Sequence, residues 1–311
     1  MFLLNKTPHI AILLATKNGA GYLCRQMQSY VEQTHKNWSL HVSDDGSSDG
    51  TPDIIRKFSE SSPQAVALHQ GPKRGIGANF MSLAKNSAIE ADYFAFSDQD
   101  DVWCTDKLER AMSWFKTIPL STPALYCSRT ELIDRNGEHK GYSRLFKKHP
   151  SFRNALVQNI AGGNTMIFNK ATKNLLEKAG DIEFSSHDWL TYQIVSSVSG
   201  IVYYDEQHSI QYRQHSENFL GTNNTFFARL QRLRMLFANR MKDWNDLNLG
   251  ALNSLRPHIA AENLRVLDDF TTARNADHVV ARLRHLRRSG VYRQTFFGNL
   301  GIFIAAIFKK L

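Results

Sequence analysis

Three carboxylates within four positions follow a short apolar run and form the clearest chemical signal in this chain. The run covers residues 93–96, and Asp98, Asp100 and Asp101 come just after it. Aromatic residues fill the interior of a pleated sheet well, so the run is predicted to be a buried strand. Carboxylates this close repel one another unless a cation or a hydrogen-bond network holds them. The cluster is interpreted either as a site for Mg²⁺ or Mn²⁺ bridging to phosphate oxygens, or as a solvated acidic turn.

Three further polar segments follow apolar runs earlier in the chain. They are Thr16 to Asn18, Asp44 with Asp45, and Lys73 with Arg74. A helical pattern begins after each of them, so strand, loop and helix alternate four times and predict an α/β fold with a parallel sheet and helices on both faces. In such sheets ligands bind at the carboxyl ends of the strands. The four polar segments are therefore expected to meet at one edge of the sheet.

The positive charge of the chain, +9 in net, lies in its last part. Residues 222–311 hold 15 Lys and Arg against 6 Asp and Glu, whereas residues 1–221 hold 23 of each kind. We therefore predict two domains, residues 1–221 with the acidic site and residues 222–311 as a basic amphipathic helical module. Such a module could face nucleic acid or an anionic membrane surface. Nucleic acid is disfavoured, because no recognisable nucleic-acid-binding motif accompanies the charge.

The basic module combines cationic and apolar residues at helical spacing. Residues 226–242 interleave Phe and Leu with Arg and Lys, and four arginines within residues 282–288 precede an apolar run over residues 296–308. This run is too short to cross a bilayer, which takes roughly 20 apolar residues. Helices of this composition can lie in a bilayer interface, and the alternative is a pair of helices that docks on the first domain.

Cysteine usage and the N-terminus bear on the compartment. Cys24, Cys104 and Cys127 are scattered without metal-type spacing, and a sparse, odd set favours a reducing environment. The first residues do not show the pattern of a signal peptide. The expected location is the cytoplasm, with a peripheral place on the inner face of the cell membrane as the more specific expectation.

The polar segments together resemble the motifs of glycosyltransferase family 2, the inverting enzymes with the GT-A fold. Residues 44–51 are similar to its Asp-Asp-Gly-Ser-Thr-Asp-Gly-Thr element, Gly75 and Asn79 to its Gly…Asn helix start, and residues 98–100 to its Asp-x-Asp motif. Ser-His-Asp-Trp at 186–189 and Tyr-Arg-Gln-His-Ser-Glu-Asn at 212–218 are similar to a bacterial branch that includes rhamnosyltransferases of surface polysaccharides. The resemblance spans roughly residues 8–220. It implies a GT-A type, Rossmann-like sheet that is mixed and mainly parallel.

The resemblance implies that the first three polar segments bind the base and diphosphate of a nucleotide sugar. The candidates are Thr16, Asn18, Asp44, Asp45, Lys73 and Arg74. Either Asp44 or Asp45 would accept a hydrogen bond from the imide N–H of uracil or thymine, a donor that cytosine lacks. One of the two basic residues would meet the diphosphate or the base, and the alternative for this pair is a solvated loop charge.

The same resemblance assigns the acidic cluster to the ribose and to a divalent cation, Mg²⁺ or Mn²⁺. Asp98 would bind the ribose and Asp100 the metal, with Asp101 contributing to the metal site. The metal would neutralise charge on the nucleoside diphosphate leaving group. Further candidates are His215 as a metal ligand or diphosphate contact, Arg213 near it, and Gly163, where the backbone could approach a sugar closely.

An inverting transfer needs one base to take the proton of the acceptor hydroxyl. The resemblance places that base on Asp188, and the alternative is a carboxylate that merely stabilises the start of a helix. Many relatives have Glu just before this Asp, whereas this chain has His187 there. The base is therefore either Asp188 alone or Asp188 together with His187.

The resemblance implies a metal-dependent inverting glycosyltransferase, and its bacterial branch suggests the donor. Its expected reaction moves L-rhamnose from dTDP-L-rhamnose to a bacterial polysaccharide or a lipid-linked glycan, as in O-antigen or capsule synthesis. The alternatives are transfer of another hexose from a UDP-sugar and a catalytically silent nucleotide-sugar-binding scaffold. A nicotinamide dehydrogenase is disfavoured, because Gly19 and Gly21 lack the third glycine of the dinucleotide-binding fingerprint.

Overall fold

The computed structural model describes residues 7–214 and 240–311, which divide into two compact units. Unit 1 takes in the described residues of Met1–Leu145, Ala161–Glu177 and Tyr203–Glu217, and unit 2 those of Phe146–Ile160, Lys178–Val202 and Asn218–Leu311. The predicted boundary between residues 221 and 222 lies outside the described residues and stays a prediction. Two segments that precede it in the chain group with the C-terminal helices.

Unit 1 is built on a mixed β-sheet. The strands of the described residues are β1 (Ile10–Thr16), β2 (Trp38–Asp44), β3 (Val66–Gln70), β4 (Tyr93–Ser97), β5 (Val102–Trp103), β6 (Ala124–Ser128), β7 (Glu131–Asp134), β8 (His139–Tyr142), β9 (Ile167–Asn169), β10 (Ile201–Asp205) and β11 (Ile210–Gln214). A seven-stranded sheet has the order β10-β6-β9-β4-β1-β2-β3, with β1 to β4 parallel and β9 antiparallel to its neighbours β4 and β6. A smaller sheet has the order β5-β11-β7-β8. The predicted fold class is confirmed.

Helices follow most of the strands. They are α1 (Leu23–Val31), α2 (Thr51–Ser61), α3 (Ile76–Ala84), α4 (Lys107–Phe115), α5 (Phe152–Ala155), α6 (Lys170–Lys178), α7 (His187–Ser197), α8 (Arg240–Ser254), α9 (Ala261–Asn275), α10 (Val279–Ser289) and α11 (Phe296–Ile307). The amphipathic pattern of α1 turns Leu23, Met27 and Tyr30 into the core of unit 1, where they join the buried side chains of β1, β2 and β4. Burial of these apolar faces is the main favourable contribution to the stability of the sheet.

The register of the sheet brings the ends of its parallel strands to one edge. Thr16 pairs with Asp44, Asp44 pairs with Gln70, and Leu14 pairs with Ser97 two residues before β1 ends. Strands β1 and β4 are buried along their whole length, as expected of central parallel strands that are covered on both faces. The polar residues that follow these strands are therefore held at the rim of a rigid, buried scaffold.

Unit 2 is helical and has a core of its own. Phe152 and Leu156 join Leu252, Phe270 and Ile302 in one buried cluster that spans α5, α8, α9 and α11. Trp189 of α7 donates from its indole Nε1 to the backbone oxygen of Ala155 at 2.6 Å. Among the described residues there is no helix with the length and apolar character needed to cross a membrane.

Candidate active site

The first two polar loops are joined by their own side chains. Thr16 Oγ1 donates to Asp44 Oδ1 at 3.0 Å, and Asn18 Oδ1 accepts a hydrogen bond from the backbone N–H of Ser48 at 2.8 Å. Asp44 also accepts hydrogen bonds from the backbone N–H of Gly46 and from the N–H and hydroxyl of Ser47. Four donors on one carboxylate fill its roughly four lone-pair sites. Asp44 therefore fixes the loop that carries it.

Asp45 holds the third polar loop. Its carboxylate is 3% exposed and accepts hydrogen bonds from the backbone N–H groups of Lys73 at 2.5 Å and Gly75 at 3.2 Å. Lys73 and Gly75 have φ angles of 57° and 89°, in the left-handed region, so the loop presents both donors to one carboxylate. Two accepted hydrogen bonds leave Asp45 about two lone-pair sites for another donor. Of the two candidates that the sequence left open for the base, Asp45 is the one with remaining acceptor capacity.

Gln99 ties the acidic loop to the first loop. Its side-chain amide accepts from the backbone N–H of Lys17 at 2.9 Å and donates to the carbonyl of Lys17 at 3.0 Å. A Cβ atom on Gly19 would lie 2.3 Å from Gln99 Oε1, so a glycine is needed there for this approach. Sequence reasoning treated Gln99 as the variable position between two aspartates and missed its role.

These contacts connect all four polar loops, namely residues 16–19, 44–51, 71–75 and 98–101, which we call the loop edge. Asn79 adds to it from α3, because its side-chain amide donates to the carbonyls of Thr16 at 3.3 Å and Ser43 at 2.9 Å. The prediction that the polar segments meet at one edge is confirmed for these loops.

Asp101 is the buried member of the acidic cluster. It is 1% exposed, and it accepts hydrogen bonds from Asn164 Nδ2 at 2.7 Å and from the backbone N–H of Arg213 at 3.3 Å. Burial raises the pKa of Asp101 well above its usual range, and the charges of Asp100 and Asp98 raise it further. Each of the two carboxylate oxygens of Asp101 thus accepts one of these hydrogen bonds from the chain.

Arg213 supports the acidic loop from within unit 1. The side chain is buried, its Nε donates to the carbonyl of Asp100 at 3.0 Å, and its Nη1 donates to the carbonyls of Asp134 and Arg135. The guanidinium also lies 5.0 Å from the ring centroid of Tyr22. These contacts fix the backbone at Asp100. Gly163, another sequence candidate, lies buried in a short 3₁₀ turn, Gly163–Thr165, next to Asn164.

Lys107 is a buried cation that sequence reasoning did not place in the site. Its Nζ donates to the carbonyl of Asn164 at 2.6 Å and lies 3.7 Å from the centroid of the Trp103 ring. Burial lowers the pKa of Lys107 to about 7, although the charge of Asp101 acts to raise it. The sequence did indicate that Lys107 could be buried, because Lys107 begins helix α4 on the face that also buries Leu108, Ala111, Met112 and Phe115.

Asp98 and Asp100 have the chemistry of a site for a hard divalent cation. Both are partly exposed at the loop edge, whereas Asp101 is buried and hydrogen-bonded to Asn164. Mg²⁺ in proteins is usually held by one or two carboxylates together with substrate phosphates and water, so these residues fit such an ion. Within residues 7–214 and 240–311, no three His, Cys, Asp or Glu side chains lie together as a group that could hold a metal ion. His215, the predicted third ligand, lies outside the described residues.

Asp188 and His187 open helix α7 in unit 2. Asp188 Oδ1 accepts hydrogen bonds from the hydroxyl of Ser186 at 2.6 Å and from the backbone N–H of Trp189 at 2.7 Å. Asp188 is partly exposed, whereas His187 is 8% exposed. Burial lowers the pKa of His187, although the neighbouring Asp188 charge acts to raise it. A neutral imidazole thus lies next to a carboxylate at the start of the helix.

Comparison with known proteins places these residues in a family. Residues 11–176 match the family model described as glycosyl transferase family 2. The chain is 30% identical to dTDP-rhamnosyl transferase RfbG of Shigella flexneri over 233 residues, which are 72% of this chain and 78% of that protein. It is 32% identical to the UDP-Glc:alpha-D-GlcNAc-diphosphoundecaprenol beta-1,3-glucosyltransferase WfgD of Escherichia coli over 104 residues, 33% of this chain and 40% of that protein.

A solved structure agrees on the fold. The crystal structure of S. aureus TarS 1–349 in complex with UDP-GlcNAc superposes with a TM-score of 0.52 at 17% sequence identity, covering 96% of this chain and 81% of that chain. At this identity the likeness bears on the fold alone. The family match, which covers more than half of the chain, carries the assignment together with the rhamnosyl transferase relative. The protein belongs to glycosyl transferase family 2 and is a glycosyltransferase.

Proposed function

We propose that this glycosyltransferase moves L-rhamnose from dTDP-L-rhamnose, with inversion and with a divalent cation, to a bacterial polysaccharide or lipid-linked glycan. The observation that carries the proposal is the loop edge, where hydrogen bonds hold Asp45 and the Asp98–Asp100 pair on one connected scaffold. The relative named as a dTDP-rhamnosyl transferase, aligned over 72% of this chain, favours this donor.

The residues of the loop edge have distinct tasks in this proposal. Asp45 accepts the imide N–H of thymine with its remaining lone pairs, Asp98 binds the ribose, and Asp100 would hold Mg²⁺ or Mn²⁺. The bound metal would offset the negative charge that builds on the leaving dTDP. Lys73 or Arg74 adds positive charge for the diphosphate, and Thr16 and Asn18 keep the base-binding loops in register.

Asp188 is the proposed base. As an acceptor hydroxyl oxygen attacks the anomeric carbon, the bond from that carbon to the phosphate oxygen breaks and the hydroxyl proton passes to Asp188. The hydrogen bonds from Ser186 and the Trp189 N–H hold one carboxylate oxygen in place. His187, which is buried and has a lowered pKa, would contact the donor sugar or share the role of the base. In the cell, the enzyme is proposed to work in the cytoplasm, peripherally on the inner face of the membrane that holds a lipid-linked acceptor.

The decisive experiment separates binding from transfer. An Asp188→Asn protein should keep the thermal stabilisation that dTDP-rhamnose and Mg²⁺ give the wild type, because the loop edge is untouched. Its turnover should fall about 10²- to 10⁴-fold, the usual contribution of a general base. Glu183→Gln, an exposed carboxylate change in the segment before α7, is the matched control and should retain full turnover.

The donor and the class of the protein are tested in the same series. Stabilisation by UDP-hexoses and not by dTDP-rhamnose would replace the proposed donor with a UDP-sugar, the donor class named for the Escherichia coli relative. Stabilisation by a donor without turnover of any donor on any glycan acceptor would favour a nucleotide-sugar-binding scaffold. Unchanged turnover of Asp188→Asn would remove Asp188 as the base.

A further inference from the structure

Helix α11 exposes most of its large apolar side chains, with the buried Ile302 as the exception. Ala305 and Ala306 are buried, whereas Phe296 and Phe297 are each 77% exposed. A surface helix of a soluble protein usually does the opposite, with a polar face toward water. Residues 296–308 contain no charged side chain at all. The helix is therefore apolar on both its inward and its outward side.

The exposed residues of α11 fall on one side of the helix. Phe296, Leu300, Phe303 and Ile307 follow the spacing of three and four residues that places side chains on one face, and Phe297 and Ile304 widen that face. We call these six residues the α11 face. An exposed apolar patch of this kind marks an interaction surface more often than an incidental feature of a monomer.

The helix is fixed in place by unit 2 and is not a loose tail. At its start, Thr295 Oγ1 accepts the backbone N–H of Gly298 at 2.9 Å. At its end, Arg282 Nε donates to the carbonyl of Ala306 at 2.7 Å, and Arg282 Nη2 donates to that of Ile307 at 2.8 Å. The α11 face is thus presented by a capped helix whose other side lies in the core of unit 2.

The segment that holds α10 and α11 is positively charged. Residues 279–311 contain seven Lys and Arg and no Asp or Glu. Arg284, Arg287 and Arg288 are exposed on α10, and Lys309 follows α11 with half of its side chain exposed. Arg288 lies 3.6 Å from Asp269 and Lys309 lies 3.0 Å from Asp277, so Arg284 and Arg287 are the main cations offered to a partner. A second copy of the same face would bring these charges against like charges, whereas anionic lipid head groups would pair with them.

We propose that the α11 face is a docking surface for an anionic lipid bilayer. The helix has 12 residues, too few to span a hydrocarbon core, so it lies in the plane of the interface with its aromatic side chains in the acyl boundary. The arginines of α10 and the terminal lysines meet the head groups. This inference rests on the proposed function, because a lipid-linked acceptor gives the enzyme a reason to work at the membrane surface.

Vesicle flotation tests the proposal on the full chain. Wild-type protein should float with vesicles of phosphatidylcholine mixed with phosphatidylglycerol, and much less with phosphatidylcholine alone or at high salt. Phe296→Ser/Phe297→Ser should lower the bound fraction about tenfold or more, since it removes two aromatic anchors. Leu120→Ser, which changes a residue of unit 1 with the same 77% exposure, is the matched control and should bind as wild type.

A charge variant provides an independent arm. Arg284→Glu/Arg287→Glu should weaken binding to anionic vesicles about tenfold or more, whereas Lys57→Glu on the exposed side of α2 should not. Absence of wild-type binding, or binding that the Phe variant retains, would overturn the proposal. So would a wild-type dimer in solution that the Phe variant turns into a monomer, because a second copy would then cover the face. Thermal stabilisation by dTDP-rhamnose, measured without vesicles, tests the proposed donor separately.

Discussion

The loop edge of unit 1 and the α11 face of unit 2 differ in how their surface groups are satisfied. At the loop edge, Asp44 accepts four hydrogen bonds from the chain, and Gln99 makes two with Lys17. On the α11 face, Phe296 and Phe297 are 77% exposed, and the segment around them, residues 279–311, contains Lys and Arg but no Asp or Glu. Folding alone satisfies these polar groups of the loop edge, whereas it leaves large apolar side chains of the α11 face exposed to water.

This difference has a functional consequence. A site that must discriminate a base and a diphosphate benefits from groups fixed before the ligand arrives, because less ordering free energy is lost on binding. A surface that locates the protein needs area and charge but little geometric precision. Changes at the loop edge should therefore alter donor binding without altering vesicle binding, and changes on the α11 face should do the reverse.

The largest effect is expected from Asp45→Asn. The substitution removes a charged acceptor from the N–H groups of Lys73 and Gly75 and can turn an amide N–H₂ toward those donors. The proposed hydrogen bond from the thymine imide N–H would also lose its charged acceptor. A hydrogen bond to a charged group contributes about 1.5–3 kcal/mol, so the affinity for dTDP should fall about 10- to 100-fold. Isothermal titration would measure it, with Asp53→Asn on the exposed side of α2 as the control. Unchanged affinity for dTDP would contradict the role of Asp45. Altered vesicle flotation of this variant would contradict the view that the loop edge and the α11 face act independently.

The next effect is expected from Gly19→Ala. The added Cβ would push the Gln99 amide away from Lys17 and remove two hydrogen bonds of about 0.5–1.5 kcal/mol each, so the free energy of unfolding should fall by about 1–3 kcal/mol. Gly21→Ala has open space around the new Cβ and is the matched control. In a Gln99→Ala background the Gly19→Ala substitution should cost little more. If Gly19→Ala destabilised the Gln99→Ala protein as much as it destabilises the wild type, the added Cβ would clash with a group other than Gln99.

The sequence was sufficient for the fold and for the meeting of the loops. Strand, loop and helix alternated with a regular apolar pattern, and the carboxyl ends of parallel strands must share an edge, so Thr16, Asp45 and Asp98 could be grouped before any coordinates. The alternation predicted a parallel sheet, and only the family resemblance implied a mixed one, without saying that β9 is the antiparallel strand. Strand β9 is three residues long, which is too short to show a regular alternation of apolar and polar residues in the sequence.

The inner supports of the site could not be predicted in the same way. Gln99, Asn164 and Lys107 act through contacts between residues up to 82 positions apart, and no local pattern encodes such a pairing. The preference for Asp45 over Asp44 as the residue that would bind the base depends on how many hydrogen bonds each carboxylate accepts from the chain, and the sequence does not show this. The α11 face was anticipated as an apolar run, but which of its residues point outward depends on how α11 packs within unit 2.

A third prediction concerns the pH dependence of Lys107. Its pKa is lowered to about 7 in the folded chain from 10.5, so between these values the unfolded chain binds more protons and stability rises with pH. The slope approaches about 1.4 kcal/mol per pH unit well above pH 7 and fades as the pH falls below 7, where Lys107 becomes protonated in both states. Lys107→Met should remove this slope, which urea unfolding between pH 7 and 8 would measure. Nearer pH 9 the Cys104 thiol, whose pKa burial raises from 9.0 to about 11, adds a slope of the opposite sign.

The control for that slope is Lys116→Met. Lys116 follows the same helix but is exposed, so its removal should leave the pH dependence as in the wild type. A Lys107→Met protein with the full wild-type slope would place the titration in another group. Lys107, which is connected to Asp101 through Asn164, would then not be a buried cation whose charge depends on pH, and the contrast with the charged surface around α11 would be weaker.

The smallest effect is expected on the α11 face itself. Phe297→Ser should change the free energy of unfolding by no more than about 0.5 kcal/mol, because the ring is 77% exposed and contributes little to the core. Ile302→Ala, on the buried side of the same helix, should cost about 2–4 kcal/mol through lost burial and a cavity. Chemical denaturation of both variants measures the pair. A large loss for Phe297→Ser would mean that the ring is a structural part of the chain, in which case no outside partner is needed to explain the face.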